Sequence, residues 1–261
     1  MISMPGTENW PKVRASAARP GRTYRRDMNK LLFVGYRNMG FTRYSVVLFI
    51  FTLLIQNSWA QSVQETYPDG AISAEGEMSD GAKDGLWVYY YQDGTVSARV
   101  EYESGGRDGF SLYYAFSGTL TGREYWDNDL LQDSAYYYYP DGGLEKVGIY
   151  QDGLYQGEWR LYHPNGQLKQ QLWYKQGIPD GIFRRYSDRG ALVQSGQYEA
   201  GLETGEWRYY KRKGRLSYLG SYEAGQRVDP WFKFNFMGVP YEVDLEKWAA
   251  EEAAASEQQE P

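Results

Sequence analysis

Asp93-Gly94 and Asp141-Gly142 offer carboxylates, His163 offers an imidazole, and "AYYYYP" (Ala135–Pro140) crowds four tyrosines into one short run. Paired carboxylates could serve as general acid and base, and a histidine beside a serine and an aspartate could activate a nucleophile. Neither arrangement is written here. The Asp-Gly pairs stand inside "YQDG" (Tyr91–Gly94) and "YPDG" (Tyr139–Gly142), where Asp and Gly serve the backbone of a turn. His163 precedes a turn proline in "HPNG" and has no Ser/Asp arrangement to complete a triad. It is the single histidine, and the chain has no cysteine. Multi-histidine metal sites, thiolate ligands and disulfides are therefore excluded together. "RYYKRKGR" (Arg208–Arg215) is the dense basic cluster; Lys211, Arg212 and Lys213 fall in a turn, as a solvated loop or an anionic-surface contact. No catalytic residue, cofactor site or metal site is expected.

What positions these residues is a repeat. "GEWRLYHPNG" (Gly157–Gly166) returns as "GEWRYYKRKG" (Gly205–Gly214), with "GIFRRYSDRG" (Gly181–Gly190) halfway between, so the period is 24 residues. The opening position falls at Gly85, Gly109, Asp133, Gly157, Gly181, Gly205 and Asp229. An aliphatic residue follows at Val96, Leu120, Leu144, Leu168, Leu192 and Leu216, then an aromatic at Tyr102, Trp126, Tyr150, Tyr174, Tyr198 and Tyr222. A partial unit precedes the first, with Pro68-Asp69-Gly70 in phase. A repeat held in register over this length is the primary architectural signal.

Each unit reads as a β-hairpin. Proline presets the first turn residue, Asp or Asn accepts the second, and Gly takes the left-handed position. The first strand is short and aromatic (Leu86–Tyr91), and the second alternates, with Leu216, Tyr218, Gly220 and Tyr222 on one face. Side by side, seven or so hairpins predict an all-β, elongated antiparallel β-meander of about fourteen strands, each hairpin stabilised chiefly by its neighbours. The meander spans 61–240. A short helix from about Val243 to Ala254, anchored by Trp248, and an acidic tail complete 241–261, and the helix could shield the last sheet edge.

The pattern G-x-W-x-x-Y-x-x-x-G-x-L-x-x-x-x-x-Y-x-x-G resembles the MORN repeat, in the variant form of the bacterial YwqK-like proteins, over about residues 67–238. That resemblance implies a putative-antitoxin role or a membrane-linked or protein-binding scaffold. Aromatic–glycine hairpins also resemble bacterial cell-wall-binding repeats, where stacked aromatics hold sugars.

Residues that recur in every unit are assigned to packing: Trp87, Trp159, Phe183 and Trp207 at one position, and Tyr90, Tyr162 and Tyr210 at another. Departures from the repeat carry the candidate site. The tryptophan position is Ser111 in the second unit and Ala135 in the third, and Tyr89, Tyr113 and Tyr137 align beside them. Together with Tyr139, they predict a small floor beside an aromatic stripe, a groove for an extended partner or a sugar chain. On the other face, Leu86, Val88, Phe110 and Leu112 are apolar where later units carry Glu158, Arg160, Glu206 and Arg208. Something is expected to cover that early half: a partner, a second copy, or the C-terminal segment folded back.

Charge divides the chain. Residues 1–60 carry nine Lys/Arg against two Asp/Glu, whereas 61–261 has a net charge of −13. An acidic body argues against nucleic acid as a partner. Within 39–60, Arg43 precedes an apolar run from Ser45 to Ile55, polar Gln56-Asn57-Ser58 and Ala60, the layout of a signal peptide cleaved after Ala60. The run is short for a spanning helix, so membrane contact is expected only through an uncleaved signal segment. Residues 1–38 are expected to be disordered or to precede the true start at Met28 or Met39. The expected protein is exported, to the periplasm, the cell surface or the medium. Its partner is another protein or an envelope glycan.

Overall fold

Local turn chemistry builds the sheet one hairpin at a time. The computed structural model describes residues 61–211 and 214–250. They belong to the second of two units into which the chain divides, residues 55–261. The expected signal segment, residues 1–38, Arg212, Lys213 and the acidic tail beyond Ala250 lie outside the described residues.

Odd-numbered strands are β1 (Gln61–Thr66), β3 (Ala82–Tyr90), β5 (Gly106–Tyr114), β7 (Leu130–Tyr138), β9 (Leu154–Tyr162), β11 (Ile178–Tyr186), β13 (Leu202–Tyr210) and β15 (Gln226–Phe234). Even-numbered strands are β2 (Ile72–Ser79), β4 (Val96–Glu103), β6 (Leu120–Asp127), β8 (Leu144–Gln151), β10 (Leu168–Lys175), β12 (Leu192–Glu199), β14 (Leu216–Glu223) and β16 (Pro240–Val243). They form one open sheet in strictly sequential order, every neighbour antiparallel. The expected meander is therefore present, with sixteen strands rather than fourteen. The partial units at both ends pair as strands too, because a half-unit still carries a turn and an edge to pair with.

Two turns alternate. After each odd strand comes a turn closed by glycine, Asp-Gly or Asn-Gly after β1, β3, β7 and β9: Gly94 N–H donates to the Tyr91 carbonyl at 2.9 Å, and Asp93 Oδ1 accepts from Thr95 N–H at 2.9 Å. After each even strand comes a two-residue turn such as Asp152-Gly153, with φ of 52° and 77°. Two consecutive left-handed residues match the right-handed twist of the flanking strands, which is why a short polar residue and a glycine stand there. The Gly153 N–H then donates to the Leu131 carbonyl at 2.8 Å, tying each hairpin to the one before.

Odd strands are longer than their aromatic run suggests, because they continue through the repeat's opening glycine at a bulge. Gly157 has φ 65° and Asp133, which replaces glycine there, has φ 59°. That left-handed region favours Gly and, at a higher cost, Asp or Asn.

The C-terminus departs from expectation. Val243 ends β16, paired with Trp231, and the helix, α1, begins at residue 245. Asp244 caps it: its Oδ1 accepts Lys247 N–H and its carbonyl accepts Trp248 N–H, both at 3.0 Å. The anchor is Trp248, stacked on Tyr218 at 5.2 Å and edge-on to Trp231 at 5.5 Å.

Candidate functional site

The pleat sorts alternate residues of each strand onto two faces. On one face, which we call the tryptophan face, Trp87, Trp159, Trp207 and Trp231 are all buried, although the sheet is a single layer. Each indole lies flat over a glycine of the preceding strand: Gly76, Gly148, Gly196 and Gly220. A methyl group placed on any of those glycines would fall inside the ring. Three indoles also donate Nε1–H to the preceding strand: Trp87 to the Glu77 carbonyl at 2.9 Å, Trp159 to Ile149 at 3.1 Å, Trp231 to Ser221 at 3.0 Å. Neighbouring side chains complete the cover. Tyr155 lies 4.0 Å from the Trp159 ring, and Lys83 Nζ sits 3.8 Å above Trp87.

Where the tryptophan is missing, the glycine is missing as well. Ser111 pairs with Val100 and Phe183 with Leu172, while Glu124 sits in the bulge of β6 across from the β7 segment that carries Ala135. Volume is exchanged between adjacent strands, so the layer stays filled. This corrects the expected groove. Ser111 and Ala135 are each 0% exposed and offer no floor to a ligand. Tyr89, Tyr113 and Tyr137 do share the face, but they are half-buried and engaged internally. Tyr89 Oη bonds Tyr102 Oη at 2.8 Å and accepts from Lys83 Nζ at 3.1 Å. Tyr113 and Tyr137 both donate to the Glu124 carboxylate, at 2.9 and 2.6 Å, and Trp126 Nε1–H joins them at 3.2 Å.

Burial disfavours tyrosinate at Tyr102, Tyr113 and Tyr137. It pushes Tyr102 up to about 12, with the Tyr89 hydroxyl adding to it, and Tyr113 up to about 12, reinforced by Glu124. Tyr137 is raised further by the same causes, burial first and then the Glu124 hydrogen bond. Glu124 escaped the sequence analysis although it was detectable there. It stands one unit before Gly148, at a position that otherwise takes glycine or an aliphatic residue.

Tyr139 belongs to neither face's centre. It opens a turn and donates its hydroxyl to the Tyr162 carbonyl at 2.7 Å. Tyr67 and Tyr91 make the same bond to Tyr90 and Tyr114, at 2.7 and 2.8 Å. His163 occupies the equivalent place, its Nε2 3.0 Å from the Tyr186 carbonyl. A carbonyl only accepts, so Nε2 carries the proton. The histidine is thus a rung of a turn-to-turn ladder.

The opposite face is open to solvent. Tyr90, Tyr162 and Tyr210 lie here, half-buried, rather than in the tryptophan layer. Over β3–β8 exposed apolar groups, Leu86 at 51%, Phe110 at 41% and Ile149 at 45%, alternate with the exposed Arg99, Glu101 and Arg123 on the intervening strands. Val88, Leu112, Tyr125, Tyr136 and Val147 are half-buried between them. The described C-terminal residues pack against β14 and β15 on the tryptophan face and do not cover this area. Over β9–β13 the same face is more polar, with Glu158, Arg160, Gln171, Arg184, Glu206 and Arg208 around Trp173 and the exposed Ile182. Arg160 pairs with Glu158 at 2.8 Å, and Arg208 with Glu206.

Among solved structures, the crystal structure of TcdB2-TccC3 without its hypervariable C-terminal region is similar, at 13% identity and a TM-score of 0.21, covering 70% of this chain. The crystal structure of TcdB2-TccC3 is similar at 11% identity and a TM-score of 0.16, covering 66%. This chain spans only 10% and 14% of those two chains. No curated protein matches it. The MORN repeat variant matches residues 83–104 and 155–176. Both matches begin at the same position of the 24-residue unit. This is a repeat protein of β-hairpins, and at two of its units it is similar to the MORN repeat variant.

Proposed function

We propose that this chain is an exported, non-catalytic scaffold that binds another protein along its sheet. The observation that carries the proposal is the uncovered apolar half of the open face, with Leu86, Phe110 and Ile149 exposed on successive hairpins. Apolar side chains repeated on successive hairpins gain by being covered, burial contributing roughly 25 cal/mol per Å² of apolar surface, and the Arg99, Glu101 and Arg123 between them would give a partner polar contacts. On the tryptophan face and in the turns, Tyr89, Tyr113, Tyr137, Glu124, Asp93 and Asp141 bond to the protein itself. Export rests on the signal-like run before Gln61, and N-terminal sequencing of exported protein should begin near that residue.

The binding test compares wild type with a Leu86→Asp/Phe110→Asp variant as baits in envelope extract. Both positions are solvent-exposed, so the variant should keep its melting temperature. The proposal expects one or more partners captured by wild type to be lost from the variant. Identical captures from both baits, with the fold intact, refute it.

A further inference from the structure

The polar half of the open face repeats a chemical station at a fixed interval. Arg160 and Tyr162 on β9, Arg184 and Tyr186 on β11, and Arg208 and Tyr210 on β13 stand two residues apart, hence on one face. All three odd strands run in the same direction, so the stations are related by translation rather than reflection. Successive stations lie two strands apart, about 9.6 Å. That is close to the length of one disaccharide in an extended β-linked polysaccharide. The groups are held in place. Tyr186 Oη donates to Gln171 Oε1 at 3.2 Å, and Gln171 Nε2 donates to Glu158 Oε1 at 2.9 Å, bridging the first two stations. The Tyr186 hydroxyl thus reaches back onto the preceding strand, which lays the ring along the sheet. Glu158, and after it Tyr162, stabilise the charged Arg160.

An aromatic ring lying on a surface, flanked by planar donors and acceptors, matches a sugar ring with an apolar face and a rim of hydroxyls. Arg160 and Arg208 remain about half exposed, at 49% and 51%, each paired with a glutamate on its own strand. At those two stations the charge is locally balanced, and the middle one sets the exposed Ile182 in the glutamate's place, so two carboxylates and an apolar side chain among three arginines favour a neutral chain over an acidic one. We infer that β9–β13 form a three-station platform for a neutral, linear, β-linked polysaccharide lying across the strands. This platform is separate from the apolar half and does not depend on the protein-binding proposal.

Chain length is the decisive variable, because linked stations raise affinity through effective concentration. Calorimetry on the full chain would use the two-, four- and six-sugar N-acetylchitooligosaccharides, with cello-oligosaccharides alongside. Affinity should rise in steps of two sugars, by about tenfold or more from the disaccharide to the hexasaccharide. Tyr186→Ala, which removes the middle ring, should return the hexasaccharide to near disaccharide affinity. Should that variant lose stability, Arg184→Gln tests the same station without touching the packing. The inference is overturned if none of these sugars binds, or if the hexasaccharide binds no tighter than the disaccharide. Unchanged affinity in both variants, or equal binding of a polyglutamate of matched length, overturns it as well.

Discussion

Trp159 and Gly148 form a pair in which each residue's size is set by the other. Trp159 is 1% exposed, and its ring occupies the space where a side chain on Gly148 would stand. Gly148→Val therefore drives two methyl groups into the indole, far inside the roughly 3.5 Å that two carbons tolerate. Overpacking of this kind costs about 1–3 kcal/mol, and more if the backbone shifts. Trp159→Ala empties the same space and removes the hydrogen bond to the Ile149 carbonyl, at about 3–5 kcal/mol. If the two effects were independent, the double variant would lose about 4–8 kcal/mol, much of a domain's total stability. The native Val100/Ser111 and Leu172/Phe183 pairs say otherwise: a larger residue on the even strand accompanies a smaller one in the place of the indole. Gly148→Val/Trp159→Ala should thus be more stable than Trp159→Ala alone, by about 1 kcal/mol, which takes a coupling larger than the about 1–3 kcal/mol that Gly148→Val costs by itself. Urea denaturation of the four proteins, followed by circular dichroism, measures the cycle. A double variant no more stable than Trp159→Ala refutes the exchange of volume between strands.

Glu124→Leu should destabilise strongly, by about 3 kcal/mol or more, because it strands two tyrosine hydroxyls and an indole N–H in the layer. Glu124→Gln keeps an acceptor and should cost much less, and thermal melts of the two variants separate these outcomes. Tyr139→Phe removes one rung of the turn ladder and should cost about 1 kcal/mol, whereas His163→Tyr should preserve the rung, both read by denaturant midpoint. Alkali should unfold the sheet. Tyrosines ordinarily titrate near 10 and are held up to about 12 at Tyr102 and Tyr113. The unfolded chain therefore releases protons first, and stability present below pH 10 is lost as pH rises toward 12. Tyrosinate absorbance should rise together with the loss of circular dichroism. Full titration near pH 10 with the sheet intact would contradict the burial of these hydroxyls.

Much of this protein is local, and the local part was legible in the sequence. The 24-residue period, the Asp-Gly turns and the alternating strands follow from backbone preferences over a few residues, such as the left-handed positions at Gly94 and Gly153. The sequential meander follows as well, since short turns leave each strand no neighbour but the next. What the chain alone could not show lies between strands. Ser111 and Ala135 looked like an open floor because small side chains read as empty space. Only the pairing of β4 with β5 brings Val100 beside Ser111, and only the bulge of β6 between β5 and β7 sets Glu124 between Tyr113 and Tyr137. Tyr139 looked like part of an aromatic stripe until the turn-to-turn bond to Tyr162 fixed its direction. Val243 looked helical, yet pairing with Trp231 held it in a strand and moved the helix start to Asp244's cap. In a single-layer sheet, burial is conferred by the neighbouring strand. The volume at each position is therefore decided by a residue on another strand, a contact that exists only once the sheet has formed.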